Sequence, residues 1–142
     1  MILDTNMLFS DAQAITVTAV STNVIDLGAD RDLGVTSNLD LIALVGTAFL
    51  AAGAATLQMV LQTDDNLAFS SPVTLVDTGA IPKATLVAGY DALKLRLPQV
   101  TERYLRVSYT VATGPMTAGT LTAAISPAGK QKWRAYDAVT GV

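Results

Sequence analysis

Four groups of residues in this 142-residue chain are of types and spacings that could do chemistry. Asp26, Asp30 and Asp32 fall close together, with Arg31 among them. Paired carboxylates can serve as acid and base in glycoside hydrolysis when their surroundings drive their pKa values apart. Nothing in the sequence separates these three, and a solvated loop accounts for them. Arg31 and Asp32 are candidate rim contacts for a protein partner. Thr63, Asp64, Asp65 and Asn66 gather the oxygen donors that a calcium ion prefers. The alternating acidic spacing and closing Glu of a calcium loop are missing, so a turn capped by its own Asp and Asn side chains is the simpler account. Arg96, Arg103 and Arg106 lie on or near adjacent predicted strands. Their guanidinium groups could meet carboxylates across an interface, although alternation alone would place charge on an outward sheet face. The fourth group is Lys130, Lys132 and Arg134 interleaved with Trp133 and Tyr136. Such a tail either packs on its own domain or grips another subunit, and both readings stay open. The candidate partner contacts are therefore Arg31, Asp32, Arg103, Arg106, Trp133, Arg134 and Tyr136.

The chain has no histidine and no cysteine. The commonest general base, the commonest metal ligand and every thiolate are missing, so no Ser-His-Asp or Cys-His hydrolase can be built. No phosphate-cradling glycine motif occurs. No catalytic residue, cofactor or metal is expected. The net charge is −3 and no basic stripe is available for phosphates, so a nucleic-acid partner is not expected either. Residues 41–55 carry no charge. They are fewer than the ~20 a membrane-spanning helix needs, and they contain Gly46 and Gly53, so they read as a buried strand followed by a small-residue loop. Asp4 and Asp11, with no basic region before them, argue against a secretory signal.

The elements that must carry these residues are strands. Residues 103–111 set Leu105, Val107, Tyr109 and Val111 on one face and Arg106, Ser108 and Thr110 on the other. The same period of two runs through residues 92–97 (Leu93, Leu95, Leu97), 56–62 (Leu57, Met59, Leu61) and 120–125 (Leu121, Ala123, Ile125). Weaker strands are expected at 14–20, 23–27, 39–46 and 73–77. Residues 28–34, 64–66, 79–82 and 114–119 read as turns. Hydrophobic residues make up 51% of the chain but aromatics only 6%, which suits thin packed sheets. The expectation is an all-β fold, a jelly-roll-like β-sandwich of about eight short antiparallel strands, filling residues 1–126. Residues 127–142 form a C-terminal tail or arm. Charged residues are 15% of the chain, against about a quarter in ordinary domains, and a surface so poor in charge suits a protein that is covered by partners.

The ordered segments of the chain resemble a known family. They are Leu3-Asp4-Thr5 with residues 8–16, residues 21–28, Ala52-Gly53-Ala54-Ala55-Thr56-Leu57, Leu61-Gln62-Thr63, residues 69–75, Ile81-Pro82-Lys83 with residues 86–90, Arg103-Tyr104-Leu105-Arg106, and the turn from Tyr109-Thr110-Val111 to Gly119. Together they are similar to the capsid cement (decoration) proteins of Bordetella-phage type, over residues 3–125. The resemblance implies a jelly-roll-like fold and a homo-oligomer, a homodimer before a homotrimer. It also implies a place on the outer surface of the capsid, bound to the major capsid protein. It carries over no catalytic residue. A carbohydrate- or receptor-binding module of a phage tail or fibre is the alternative; such modules present aromatic platforms, and the aromatics here are few and scattered. A small enzyme is a third class, with only Asp and Glu for its chemistry.

Overall fold

The computed structural model describes residues 3–33 and 38–127. A single 3-10 turn, Thr5–Met7, precedes ten strands: β1 (Leu8–Ala14), β2 (Ala19–Val20), β3 (Ile25–Asp26), β4 (Leu39–Val45), β5 (Thr56–Asp64), β6 (Val73–Asp77), β7 (Ile81–Pro82), β8 (Asp91–Arg96), β9 (Tyr104–Ala112) and β10 (Thr120–Pro127).

They form two antiparallel sheets. The first has the order β1-β10-β4-β8; the second has β2-β9-β5-β6, with β3 also pairing β9 and β7 also pairing β5. Taking β2 with β3 and β6 with β7 leaves four strand positions in each sheet. Ten strands thus fill the eight positions of a jelly roll, and the chain changes sheet at most connections.

Alternation dictates the sandwich. Leu57, Met59 and Leu61 of β5 and Leu105, Val107 and Tyr109 of β9 are buried from the second sheet. Leu41, Ala43 and Val45 of β4 and Leu121, Ala123 and Ile125 of β10 meet them from the first, in one continuous core. Fully burying one such aliphatic side chain is worth about 1.5–3 kcal/mol, so these central strands supply most of the cohesion.

Three local readings need correction. The strand expected at 14–20 lies earlier, at Leu8–Ala14, and only Ala19–Val20 of the expected stretch pairs. Its alternation is broken because β1 is bulged: its register against β10 shifts twice, and Ala12 takes a φ of 43°. Ile81–Pro82, read as part of a turn, pairs with Leu57 and Thr56 of β5 as an edge fragment, a position where proline's missing N–H is tolerated. Arg96 lies on β8 of the first sheet, not beside Arg106 on β9 of the second, and donates to Asn38. Trp133, Arg134, Tyr136 and the rest of the tail lie outside the described residues.

Candidate functional site: the charged loop end

The antiparallel registers bring three connections to one end of the sandwich. These are the β3–β4 connection with Asp30, Arg31 and Asp32, the β5–β6 loop of residues 65–72, and the β8–β9 loop ending in Glu102 and Arg103. The four described contact candidates, Arg31, Asp32, Arg103 and Arg106, therefore gather at or beside the same end.

Arg103 faces Asp26 across the pairing of β3 with β9. Its Nε donates to Asp26 Oδ1 at 2.7 Å and its Nη2 to Oδ2 at 2.8 Å, a bidentate fork. The same guanidinium sits 4.9 Å from the Tyr104 ring centroid. The Arg103 fork, helped by the Gly28 amide, lowers the Asp26 pKa to about 2, and Arg103 is in turn held in its charged form. Asp26 thus pairs with Arg103, 77 residues away, rather than with the nearby Arg31.

Arg106 points outward from β9. Its Nε donates to Gln62 Oε1 at 2.9 Å, and its guanidinium lies 4.1 Å from the centroid of Phe69. Phe69 is buried yet stands outside the main core, so the β5–β6 loop folds back on the outer face of the second sheet. Asp64 anchors that loop, accepting from Asn66 N at 2.9 Å and from Ser71 N at 2.8 Å. Asn66 Oδ1 accepts from Ala68 N. The Asp-Asp-Asn cluster is thus a set of side-chain-capped turns, as its composition suggested.

Burial works against the charged form of Asp64, but the two amides, Asp65 and Arg106 hold its pKa below the usual range. Asp65 is pushed up, by its hydrogen bond with Asp64, by burial and by the charges of Asp64 and Asp30. Glu102 is also pushed up, by burial first and then by Asp64, Asp65 and Asp30, and its Oε2 is enclosed without a hydrogen-bond partner. Among the described residues no group of three or more acidic side chains is arranged to hold a metal ion.

Arg31 and Asp32 are exposed, and Asp32 Oδ1 accepts from Val100 N at 3.4 Å, tying the β3–β4 connection to the β8–β9 loop. Arg31 and Asp32 are thus presented outward, whereas Arg103 and Arg106 are half-buried and tie neighbouring segments together, Arg103 through Asp26 and Arg106 through Gln62 and Phe69. The sequence marked these arginines, and Asp26 among its carboxylates, but not the pairing of Arg103 with Asp26 or of Arg106 with Phe69, which only the pairing register and the loop's path bring about.

A jelly-roll sandwich of two antiparallel sheets with a braced, charged loop end defines an all-β class of protein. The chain belongs to the Bbp16 family, a Bordetella phage protein family, whose model matches residues 9–125. That span runs from β1 to β10 and takes in both sheets. A comparison with curated proteins gives no match.

Proposed function

We propose that this protein is a capsid cement (decoration) protein. It binds the outer surface of a phage capsid as a homodimer and holds neighbouring capsomers of the major capsid protein together. The observation that carries the reading is the family match, which runs from β1 to β10 and takes in both sheets. The protein is not an enzyme and takes no cofactor, in keeping with a chain that has no histidine or cysteine. It works by contact: a rigid body touching two capsomers resists their separation, and linked contacts act at raised effective concentration, so each can be modest. Arg31 and Asp32 meet the shell at the charged end, with Arg103 and Arg106 ordering the loops that present them. A receptor-binding role finds less support, because Phe9, Phe49 and Tyr109 are core residues and Phe69 is buried against Arg106, so none of them forms a stacking platform.

The test is co-sedimentation of the purified protein with cement-free capsids, followed by thermal melting of the shells. Binding with a raised shell melting temperature is expected. A protein that stays in the supernatant and leaves the melting temperature unchanged overturns the reading.

A further inference from the structure

The sandwich and the tail that follows it carry opposite charge. Residues 1–127 hold eleven Asp or Glu against six Lys or Arg, a net −5. Residues 128–142 hold Lys130, Lys132 and Arg134 against Asp137, a net +2. The tail lies outside the described residues and outside the span of the family match, but its point of departure is fixed. β10 ends at Pro127, opposite Leu39, the first residue of β4. Leu39 O accepts from Leu97 N, where the chain leaves β8 for the loop that carries Glu102. The tail therefore starts at the charged loop end, on the sheet that faces the one carrying Asp64 and Arg106.

That end holds acids which its own cations leave unmatched. Arg103 is taken by Asp26, and Arg106 by Gln62 and the Phe69 ring. Among the described residues, Asp30, Asp65 and Glu102 form no ion pair. They come from three different connections, and Asp65 and Glu102 each feel the charges of Asp64 and Asp30. Glu102 Oε2 is enclosed without a hydrogen-bond partner. Beside these acids Leu67 stands 61% accessible on the β5–β6 loop. Such a surface calls for cations with an apolar side chain among them. Reach and tethering select the occupant. A chain spans at most about 3.3–3.6 Å per residue, so Lys130 can stand about 10 Å from Pro127 and Arg134 about 23–25 Å. Packed sheets lie about 10 Å apart, so all three tail cations can reach the acids. A segment tethered this closely faces the surface at an effective concentration on the order of millimolar, ahead of a more dilute free partner.

We propose that residues 128–142 dock on the charged loop end of their own sandwich, where Lys130, Lys132 and Arg134 meet the field of Asp30, Asp65 and Glu102 and Trp133 covers Leu67. The inference goes beyond the cement reading and does not depend on it. Exposed ion pairs are individually weak and are screened by salt, so the contact is reversible.

Trp133 is the only tryptophan, so its fluorescence reports the tail within the full chain. The experiment measures its emission maximum and its quenching by acrylamide, with the urea-unfolded protein as reference and circular dichroism to check that each variant is folded. At low salt the wild type is expected to show blue-shifted emission and slower quenching than the reference, to the same degree at every protein concentration. Salt at about 1 M, where the Debye length is about 3 Å, should shift the emission to the red and speed the quenching. Two double variants, Asp65→Asn with Glu102→Gln in the sandwich and Lys130→Ala with Lys132→Ala in the tail, should behave at low salt as the wild type does at high salt. Asp91→Asn is the control, because Asp91 is exposed at the start of β8, at the opposite end, and it should match the wild type. A tryptophan as accessible at low salt as in the reference overturns the proposal. So does protection that survives both double variants or high salt, or protection that grows with protein concentration, which would place the tail on a second copy.

Discussion

The phenol of Tyr109, on β9 of one sheet, meets Ser10 Oγ, on β1 of the other, at 2.7 Å. Both residues are fully enclosed, so this is a polar link across an otherwise apolar core. Ser10 Oγ also donates to Gln13 Oε1 at 2.6 Å, and Gln13 in turn accepts from Thr22 N and donates to Val20 O. The link therefore fixes the bulged strand β1 and the connection to β2 as well as the sheets.

Tyr109→Phe is expected to lower the unfolding free energy by about 1 kcal/mol, measured by urea denaturation. Burial pushes the Tyr109 pKa up to about 12, against a small opposing effect of Ser10. The unfolded chain then loses this proton near pH 10 while the folded protein keeps it. Stability from this group is complete below about pH 10 and declines as pH rises toward about 12. Wild type should lose stability faster than Tyr109→Phe between about pH 10 and 11. Parallel curves for the two proteins would contradict the burial argument.

The pair of Asp26 and Arg103 has the opposite pH dependence. Its contribution is present above the ordinary carboxylate range and is lost as pH falls through about 2. Carbon-detected NMR of the Asp26 carboxyl should show a titration midpoint near that value. In Arg103→Met the midpoint should rise toward the ordinary Asp value of about 3.9, short of it by the effect of the Gly28 amide that remains. A midpoint that does not move would mean the fork is not formed in solution.

Glu102 should cost stability at neutral pH, because burial and three neighbouring acids raise its pKa. A raised carboxyl pKa gives stability that is present in acid and lost as pH rises. Glu102→Gln is therefore expected to melt higher than wild type at pH 7 and no higher in acid, below the usual Glu pKa of about 4.3. Differential scanning calorimetry at the two pH values decides it.

Gly119 has φ at 142°, and an added Cβ would fall against the ring of Phe49, which is buried. Gly119→Ala should destabilise by about 1–3 kcal/mol through overpacking, with strain in addition. Gly28→Ala makes a control, because Gly28 has a positive φ but open space around it. It should cost about 1–2 kcal/mol from strain alone. Equal losses in thermal melts would remove Phe49 from the explanation.

The four strongest strand expectations rest on alternation, and each of those stretches is a strand; the side chains expected inward on β5 and β10, and Leu105, Val107 and Tyr109 on β9, are buried, whereas Leu93 and Leu95 on the edge strand β8 are only partly covered. They succeed because β5, β9 and β10 are central, where a one-residue slip would turn every leucine to solvent. Residues 8–14 failed the same test for a physical reason: Phe9 and Ser10 are neighbours and both buried, so the bulge hides the period. At the charged end, Arg103 and Arg106 were legible as charges on and beside a strand. Their roles were not, because Asp26 meets Arg103 only through the β3–β9 register and Phe69 meets Arg106 only through a folded-back loop.

The alternation of the chain between sheets has a mechanical meaning. Six of its connections cross from one sheet to the other: β1 to β2, β3 to β4, β4 to β5, β7 to β8, β8 to β9 and β9 to β10. A force that pulls the two layers apart is therefore taken up by covalent backbone at both ends of the sandwich, as stitches carry the load on a seam, and not by the apolar contacts between the layers alone. The body can transmit tension from one loop end to the other and fails only when strands are drawn out of their ladders.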